Sequence, residues 1–179
     1  AVKTRFSDVP THAAFYAEIE WLASRKITTG YGDGTFRPDQ SVERGAMAAY
    51  FYRMAGSPAV NLPKTSPFLD VPTNHPFYKE IVWMHQRGIT TGYGDGTFRP
   101  NEAVSREATA AFLYRYGGSP VIPVVRGSGF KDVRANNSFY REIIWLESRK
   151  ITAGYGDGTF RPYDSVSRGA MAAFLYRMR

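Results

Sequence analysis

A nine-residue string, Gly-Tyr-Gly-Asp-Gly-Thr-Phe-Arg-Pro, occurs three times, beginning at Gly30, Gly92 and Gly154, each copy 62 residues after the last. The same step carries Phe6-Ser7-Asp8-Val9 to Phe68-Leu69-Asp70-Val71 and Phe130-Lys131-Asp132-Val133. It also relates Trp21, Trp83 and Trp145, and Arg44, Arg106 and Arg168. Self-similarity at a fixed period means one supersecondary unit used three times, each unable to bury its apolar face alone. We read repeats over residues 1–56, 68–117 and 130–179, joined by Gly-, Ser- and Pro-containing linkers at 57–67 and 118–129. The linkers differ in composition while the 62-residue step is kept, as docking of each unit on the next requires.

Each unit has one grammar. A first helical pattern runs through Phe15, Ile19 and Leu22, with copies at Phe77, Ile81 and Met84 and at Phe139, Ile143 and Leu146. The glycines of the repeated string are expected to end that region, since they accept left-handed backbone. Pro38, Pro100 and Pro162 keep the loop from turning helical early. A second helix is predicted from Glu43, Ser105 and Ser167 to about Arg53, Arg115 and Arg177. Its Ala and aromatic residues make it apolar on almost every side, so it belongs in an interior. The expected fold is mainly α: three helix-loop-helix repeats in one pseudo-threefold body. In it the second helices form a central three-helix bundle, and the first helices with their loops form three peripheral lobes with grooves between them. A linear solenoid is the competing arrangement.

Composition narrows the function. The 179 residues carry 23 Lys and Arg against 16 Asp and Glu, a net charge of +7, with no Cys. Cysteine nucleophiles, disulfides and thiolate zinc sites are therefore excluded. No apolar run approaches the ~20 residues that span a bilayer, so no membrane insertion is expected. Ala1-Val2-Lys3-Thr4 shows no signal peptide, and the chain is read as a mature or excised piece. The basic balance points to an anionic partner.

Arg44, Arg106 and Arg168 carry the most information. Each is predicted at the first position of a helix, where the partial positive charge makes a cation mildly unfavourable. Something negative should complete the address. Either the guanidinium and helix N–H groups hold a carboxylate or phosphate, or the Arg pairs internally with a loop acid (Asp33, Asp95 or Asp157) or a neighbouring repeat. Those Asp residues sit in Asp-Gly turns, which favours turn chemistry over ligand contact, and they remain candidate loop contacts. Tyr31, Tyr93 and Tyr155 are candidate groove residues able to stack on a sugar face. Phe36, Phe98 and Phe160 are read as loop packing, and the three Trp as lobe packing. Glu18, Glu80 and Glu142 are read as surface ion-pair residues. His12, His75 and His85 do not follow the repeat and form no cluster. No calcium loop, phosphate loop, metal site, cofactor site or catalytic constellation is found, so no enzymatic activity is expected.

With Phe-x-Asp-Val, the Ile-Thr-x-Gly-Tyr-x-Asp-Gly-Thr-Phe-x-Pro run at Ile27, Ile89 and Ile151, and the Arg-led Ala-rich helix, in that order three times over, the chain resembles three tandem S-layer homology (SLH) repeats. The resemblance implies a pseudo-trimeric spindle that anchors exported proteins non-covalently to the bacterial cell wall, outside the cell, by binding secondary cell-wall polysaccharide. A pyruvate ketal on such a polymer supplies a carboxylate, and the Arg of the family's Thr-Arg-Ala-Glu motif contacts it. That Arg corresponds to Arg44, Arg106 and Arg168. Here Ala46, Ala108 and Ala170 stand where the motif has Glu, so its capping box is absent. Glu43 precedes Arg44 and is expected to pair with it, leaving the grooves that use Arg106 and Arg168 the stronger. The implied partner is an anionic cell-wall glycan. The alternative is a protein-interaction or self-assembly module contacting other surface-layer subunits. Nucleic acid is not an expected partner, since the basic residues are dispersed and no nucleic-acid fold signature occurs.

Overall fold

Phe-x-Asp-Val is a clamp. Both carboxylate oxygens of Asp8 accept backbone N–H bonds, from Phe36 and Arg37, at 2.8 Å each. Asp70 holds Phe98 and Arg99 in the same way, and Asp132 holds Phe160 and Arg161. The clamped Arg37, Arg99 and Arg161 all have φ of 60°, a left-handed conformation costing about 1–2 kcal/mol in a residue with a β-carbon. Two charge-assisted bonds offset that cost and fix the loop to the start of its own repeat.

The computed structural model describes residues 4–122 and 127–179, and among them are six helices and no extended strand. Residues 1–3 of the first repeat and 123–126 of the second linker lie outside the described residues. The first helix of each repeat is α1 (Tyr16–Ser24), α3 (Tyr78–Gln86) or α5 (Tyr140–Ser148). The second is α2 (Arg44–Met54), α4 (Arg106–Tyr116) or α6 (Arg168–Arg177). The fold is thus mainly α, built of three helix-loop-helix repeats.

The glycine string does not end the first helix. That helix stops several residues earlier, where Lys26, Gly88 or Lys150 turns left-handed and the N–H of Ile27, Ile89 or Ile151 reaches back to the carbonyl of Leu22, Met84 or Leu146. This is a Schellman closure, and it tolerates Lys at the position that usually favours Gly. The glycines serve the loop instead. At Gly30 (φ 70°) a Cβ would stand 2.4 Å from the Phe6 ring and 2.8 Å from the Thr35 carbonyl.

The repeats close on one another. Val42 N–H donates to the Val166 carbonyl, Val166 to Val104, and Val104 back to Val42, at 2.9–3.1 Å. A linear stack would leave the first and third repeats apart; here they are bonded. The first N–H groups of each second helix are taken by the Pro-containing loop of another repeat. Arg44 and Gly45 donate to Glu102 and Pro100, Arg106 and Glu107 to Asp164 and Pro162, and Arg168 and Gly169 to Gln40 and Pro38. Helix pairing is also between repeats: α2 packs on α3, α4 on α5, and α6 on α1. Trp83 meets Tyr52, Trp145 meets Tyr114 and Trp21 meets Tyr176 edge-on at 5.5–5.6 Å, so the Trp do pack the lobes, across repeat boundaries. Of the second helices, α2 and α4 meet through side chains, Phe51 against Tyr116 at 5.3 Å.

Candidate functional site

Three grooves follow from this docking, and each takes residues from all three repeats. The first is a cavity of about 320 Å³ holding Arg44 of the first repeat, Thr90, Gly92, Tyr93 and Phe112 of the second, and Phe139 of the third. The second, about 380 Å³, holds Arg106, Thr152, Gly154, Tyr155, Phe174 and Phe15. The third, about 220 Å³, holds Arg168, Thr28, Gly30, Tyr31, Tyr50 and Phe77. Buried Thr28, Thr90 and Thr152 accept the N–H of Gly30, Gly92 and Gly154 and so set the loop backbone that forms each wall.

The arginines are 5–8% exposed, and their partners are backbone carbonyls of a neighbouring repeat, not the loop acids. Arg44 Nε donates to the Phe98 carbonyl at 2.7 Å, Arg106 to Phe160 and Arg168 to Phe36, each in the following repeat around the ring. None forms an ion pair among the described residues. The helix N–H groups expected to share an anion with them are engaged by the neighbouring loop instead, and the Ala108 and Ala170 N–H groups by the caps Ser105 and Ser167. Aromatic rings surround each guanidinium. Arg106 Cζ lies 4.6–5.5 Å from the ring centres of Tyr155, Phe160 and Phe174, with Arg44 and Arg168 similarly enclosed. Burial lowers the pKa of Arg44 and Arg106 from the usual guanidinium value, yet the group keeps its charge.

The structure separates the other candidates. Tyr31, Tyr93 and Tyr155 line the grooves. Asp33, Asp95 and Asp157 are exposed turn residues outside the groove walls, each accepting the N–H and hydroxyl of the Thr two residues on. They pair at 3.3 Å with Arg37, Arg99 and Arg161, which in turn stack on the groove tyrosines at 3.6–3.7 Å. Their carboxyls are held below the ordinary Asp value, first by the Thr hydroxyl. Phe36, Phe98 and Phe160 are fully buried in the loops. Glu18, Glu80 and Glu142 are half-buried and form no ion pair among the described residues, which corrects the surface-pair reading.

Glu43 does not pair with Arg44 either. Its counterparts Ser105 and Ser167 line the Arg44 and Arg106 grooves, so the equivalent groove for Glu43 is that of Arg168, which Glu43 does not line. The Arg44 groove holds a different acid, Glu107, whose Oε2 accepts from Asn137 at 3.2 Å. Ala46, Ala108 and Ala170, where the SLH motif has Glu, all stand in groove walls. The substitution thus removes a carboxylate from the wall beside the Arg.

Sequence reasoning missed a second cation in every groove. Arg53, Arg115 and Arg177 line the Arg168, Arg44 and Arg106 grooves respectively, each tied through one nitrogen to the carbonyl of Ile27, Ile89 or Ile151. Their recurrence at the 62-residue step was the available signal. Phe139, Phe15 and Phe77 close the Arg44, Arg106 and Arg168 grooves, each from the repeat that supplies neither the arginine nor the tyrosine, which no single-repeat pattern discloses.

Among the described residues, no group of His, Asp and Glu is placed to hold a metal ion, and no helix is long and apolar enough to cross a membrane.

The chain is 33% identical over 74% of its length to a cell surface protein of Thermoanaerobacter kivui, covering 16% of that protein. It is 27% identical over 86% of its length to cell surface glycoprotein 1 of Acetivibrio thermocellus, covering 7% of it. It is 27% identical over 83% to the cellulosome-anchoring protein of the same organism, covering 34% of it. The chain therefore spans 7–34% of the length of these relatives. The model of the S-layer homology domain matches residues 5–48, 67–110 and 129–172. The chain belongs to the S-layer homology family, as three tandem domains that share their grooves.

Proposed function

We propose that this chain is a non-catalytic anchoring module that holds a larger protein to the outside of a bacterial cell wall by binding an anionic wall glycan in its grooves. The observation that carries the reading is the buried arginine of each groove. It has an aromatic surround and a carbonyl partner, and it forms no ion pair with a carboxylate among the described residues. A buried cation favours an anionic partner of suitable shape. Tyr31, Tyr93 and Tyr155 add an aromatic face of the kind that packs on a sugar ring. The cavities, about 220–380 Å³, suit one or two sugar units. The cellulosome-anchoring and cell-surface relatives favour an envelope role.

On this reading the carboxylate of a pyruvate ketal is the preferred anion. Pull-down on purified wall polysaccharide, before and after mild acid removal of ketal pyruvate, tests it. Binding is expected to fall by at least about tenfold after acid treatment, a loss of ~1.4 kcal/mol. Replacement of Arg44, Arg106 and Arg168 by Gln should abolish binding at a temperature where the variant is still folded. Unchanged retention by the folded variant would refute the assignment.

A further inference from the structure

The cations continue beyond the grooves. Arg53, in the wall of the Arg168 groove, also borders a cavity of about 440 Å³ with Trp21, Arg25, Tyr116 and Arg179. Arg115, in the wall of the Arg44 groove, also borders a cavity of about 640 Å³ with Arg87 and Tyr116. Met54, Tyr116 and Met178 all line the first of these cavities, so it lies where the C-terminal ends of α2, α4 and α6 converge.

Basic residues at helix C-termini ordinarily balance the helix dipole. That accounts for Arg53 and Arg115, which bond to the Ile27 and Ile89 carbonyls. Arg25 and Arg87 also stand at helix ends, as the C-caps of α1 and α3, and Arg179 stacks on the Tyr176 ring at 3.9 Å, yet all three are exposed and belong to no ion pair among the described residues. Five arginines therefore surround Tyr116 with no acidic side chain in either cavity wall.

We infer that the Arg168 and Arg44 grooves open, across Arg53 and Arg115, into a second anion subsite at this end of the molecule. The polymer they accept then carries carboxylates on successive sugars, not on one terminal sugar alone. The first carboxylate meets Arg168 or Arg44. The next passes the bridging arginine and meets Arg25 with Arg179, or Arg87, with the Trp21 and Tyr116 rings beside the sugar. This inference rests on the reading of the grooves as anionic-glycan sites.

The test compares two probes by calorimetry: the methyl glycoside of a 4,6-pyruvylated N-acetylhexosamine, and a linear trisaccharide carrying that ketal on every sugar. The wild-type chain should bind the trisaccharide at least about tenfold more tightly, through linked subsites, and with steeper salt dependence. The triple variant Arg25→Gln, Arg87→Gln, Arg179→Gln alters only exposed positions. It should lose that gain and keep wild-type affinity for the monosaccharide. Equal affinity of the wild type for both probes, or a gain that survives in the triple variant, overturns the inference. Failure of the groove reading looks different, since the wild type would then bind neither probe.

Discussion

Arg106 donates through Nε to the carbonyl of Phe160, 2.7 Å away and 54 residues further along the chain. One side chain thus ties the second repeat to the third and lines the groove they form. On the proposed reading, binding and repeat docking share an atom group, so a ligand on the guanidinium would also reinforce the closure of the ring.

Arg106→Ala should therefore cost stability as well as binding. It leaves the Phe160 carbonyl without its donor and empties an aromatic enclosure. A hydrogen bond from a charged donor contributes about 1.5–3 kcal/mol, so the melting temperature should fall by roughly 3–10 °C. Arg106→Lys retains the charge without the planar fork and should recover only part of that loss. Thermal melts followed by circular dichroism measure both, and a wild-type melt for the Ala variant would contradict the docking role.

Asp70→Ala removes both carboxylate oxygens that accept from the Phe98 and Arg99 N–H groups and releases a left-handed Arg99. We expect a loss of about 2–4 kcal/mol, read as a lower urea midpoint. Asp70→Asn keeps one acceptor oxygen but sets an NH₂ against an N–H, so it should fall between. Since Arg44 bonds to the Phe98 carbonyl, the Ala variant should also weaken ligand binding in the Arg44 groove.

The 62-residue step and the helix periodicity made the repeats, both helices and the N-terminal position of Arg44, Arg106 and Arg168 legible, because each is a pattern local to one unit. Tyr31, Tyr93 and Tyr155 were legible only as recurrent loop aromatics that could face a groove. The partners were not. A backbone carbonyl such as Phe160 leaves no trace in residue type, so the arginine's true acceptor was hidden behind the more visible Asp157. The wall that Phe15 contributes to the Arg106 groove depends on ring closure between the first and third repeats. Lys26 and Lys150 in left-handed helix stops run against residue preference, so the glycines nearby drew the helix end too far along the chain.

The loop acids give the stability a pH signature. Asp33, Asp95 and Asp157 have pKa values lowered in the folded state, first by the hydroxyls of Thr35, Thr97 and Thr159. A depressed folded pKa means the contribution is complete above the ordinary Asp value and is lost as pH falls through the lower folded one. The chain should therefore lose stability with acid below about pH 4. The triple variant Asp33→Asn, Asp95→Asn, Asp157→Asn should flatten that limb, as measured by urea unfolding at pH 3 and pH 6. Monosaccharide binding at pH 7 should stay within about twofold of wild type, since these side chains lie outside the groove walls and exposed ion pairs contribute little.

The three grooves should differ in affinity, in an order set by their acids. Glu107 stands in the wall of the Arg44 groove, and Glu43 is the N-cap of α2, the helix that lines the Arg168 groove, though Glu43 itself is not in that wall. The Arg106 groove has Ser167 and Gly169 at the matching positions and no carboxylate in its wall. A like charge near the bound anion weakens it even when partly screened, so Arg106 should carry the tightest site. Single replacements by Gln at Arg44, Arg106 and Arg168, titrated with the pyruvylated monosaccharide, separate the three contributions. Glu107→Gln should strengthen the Arg44 site by about three- to tenfold, ~0.7–1.4 kcal/mol, and leave the Arg106 site unchanged. The gain should shrink in high salt, because screening weakens the repulsion that the Glu side chain exerts. Three equal sites in the wild-type chain, or a Glu107→Gln variant that leaves the Arg44 site unaltered, would show that these acids do not set the order.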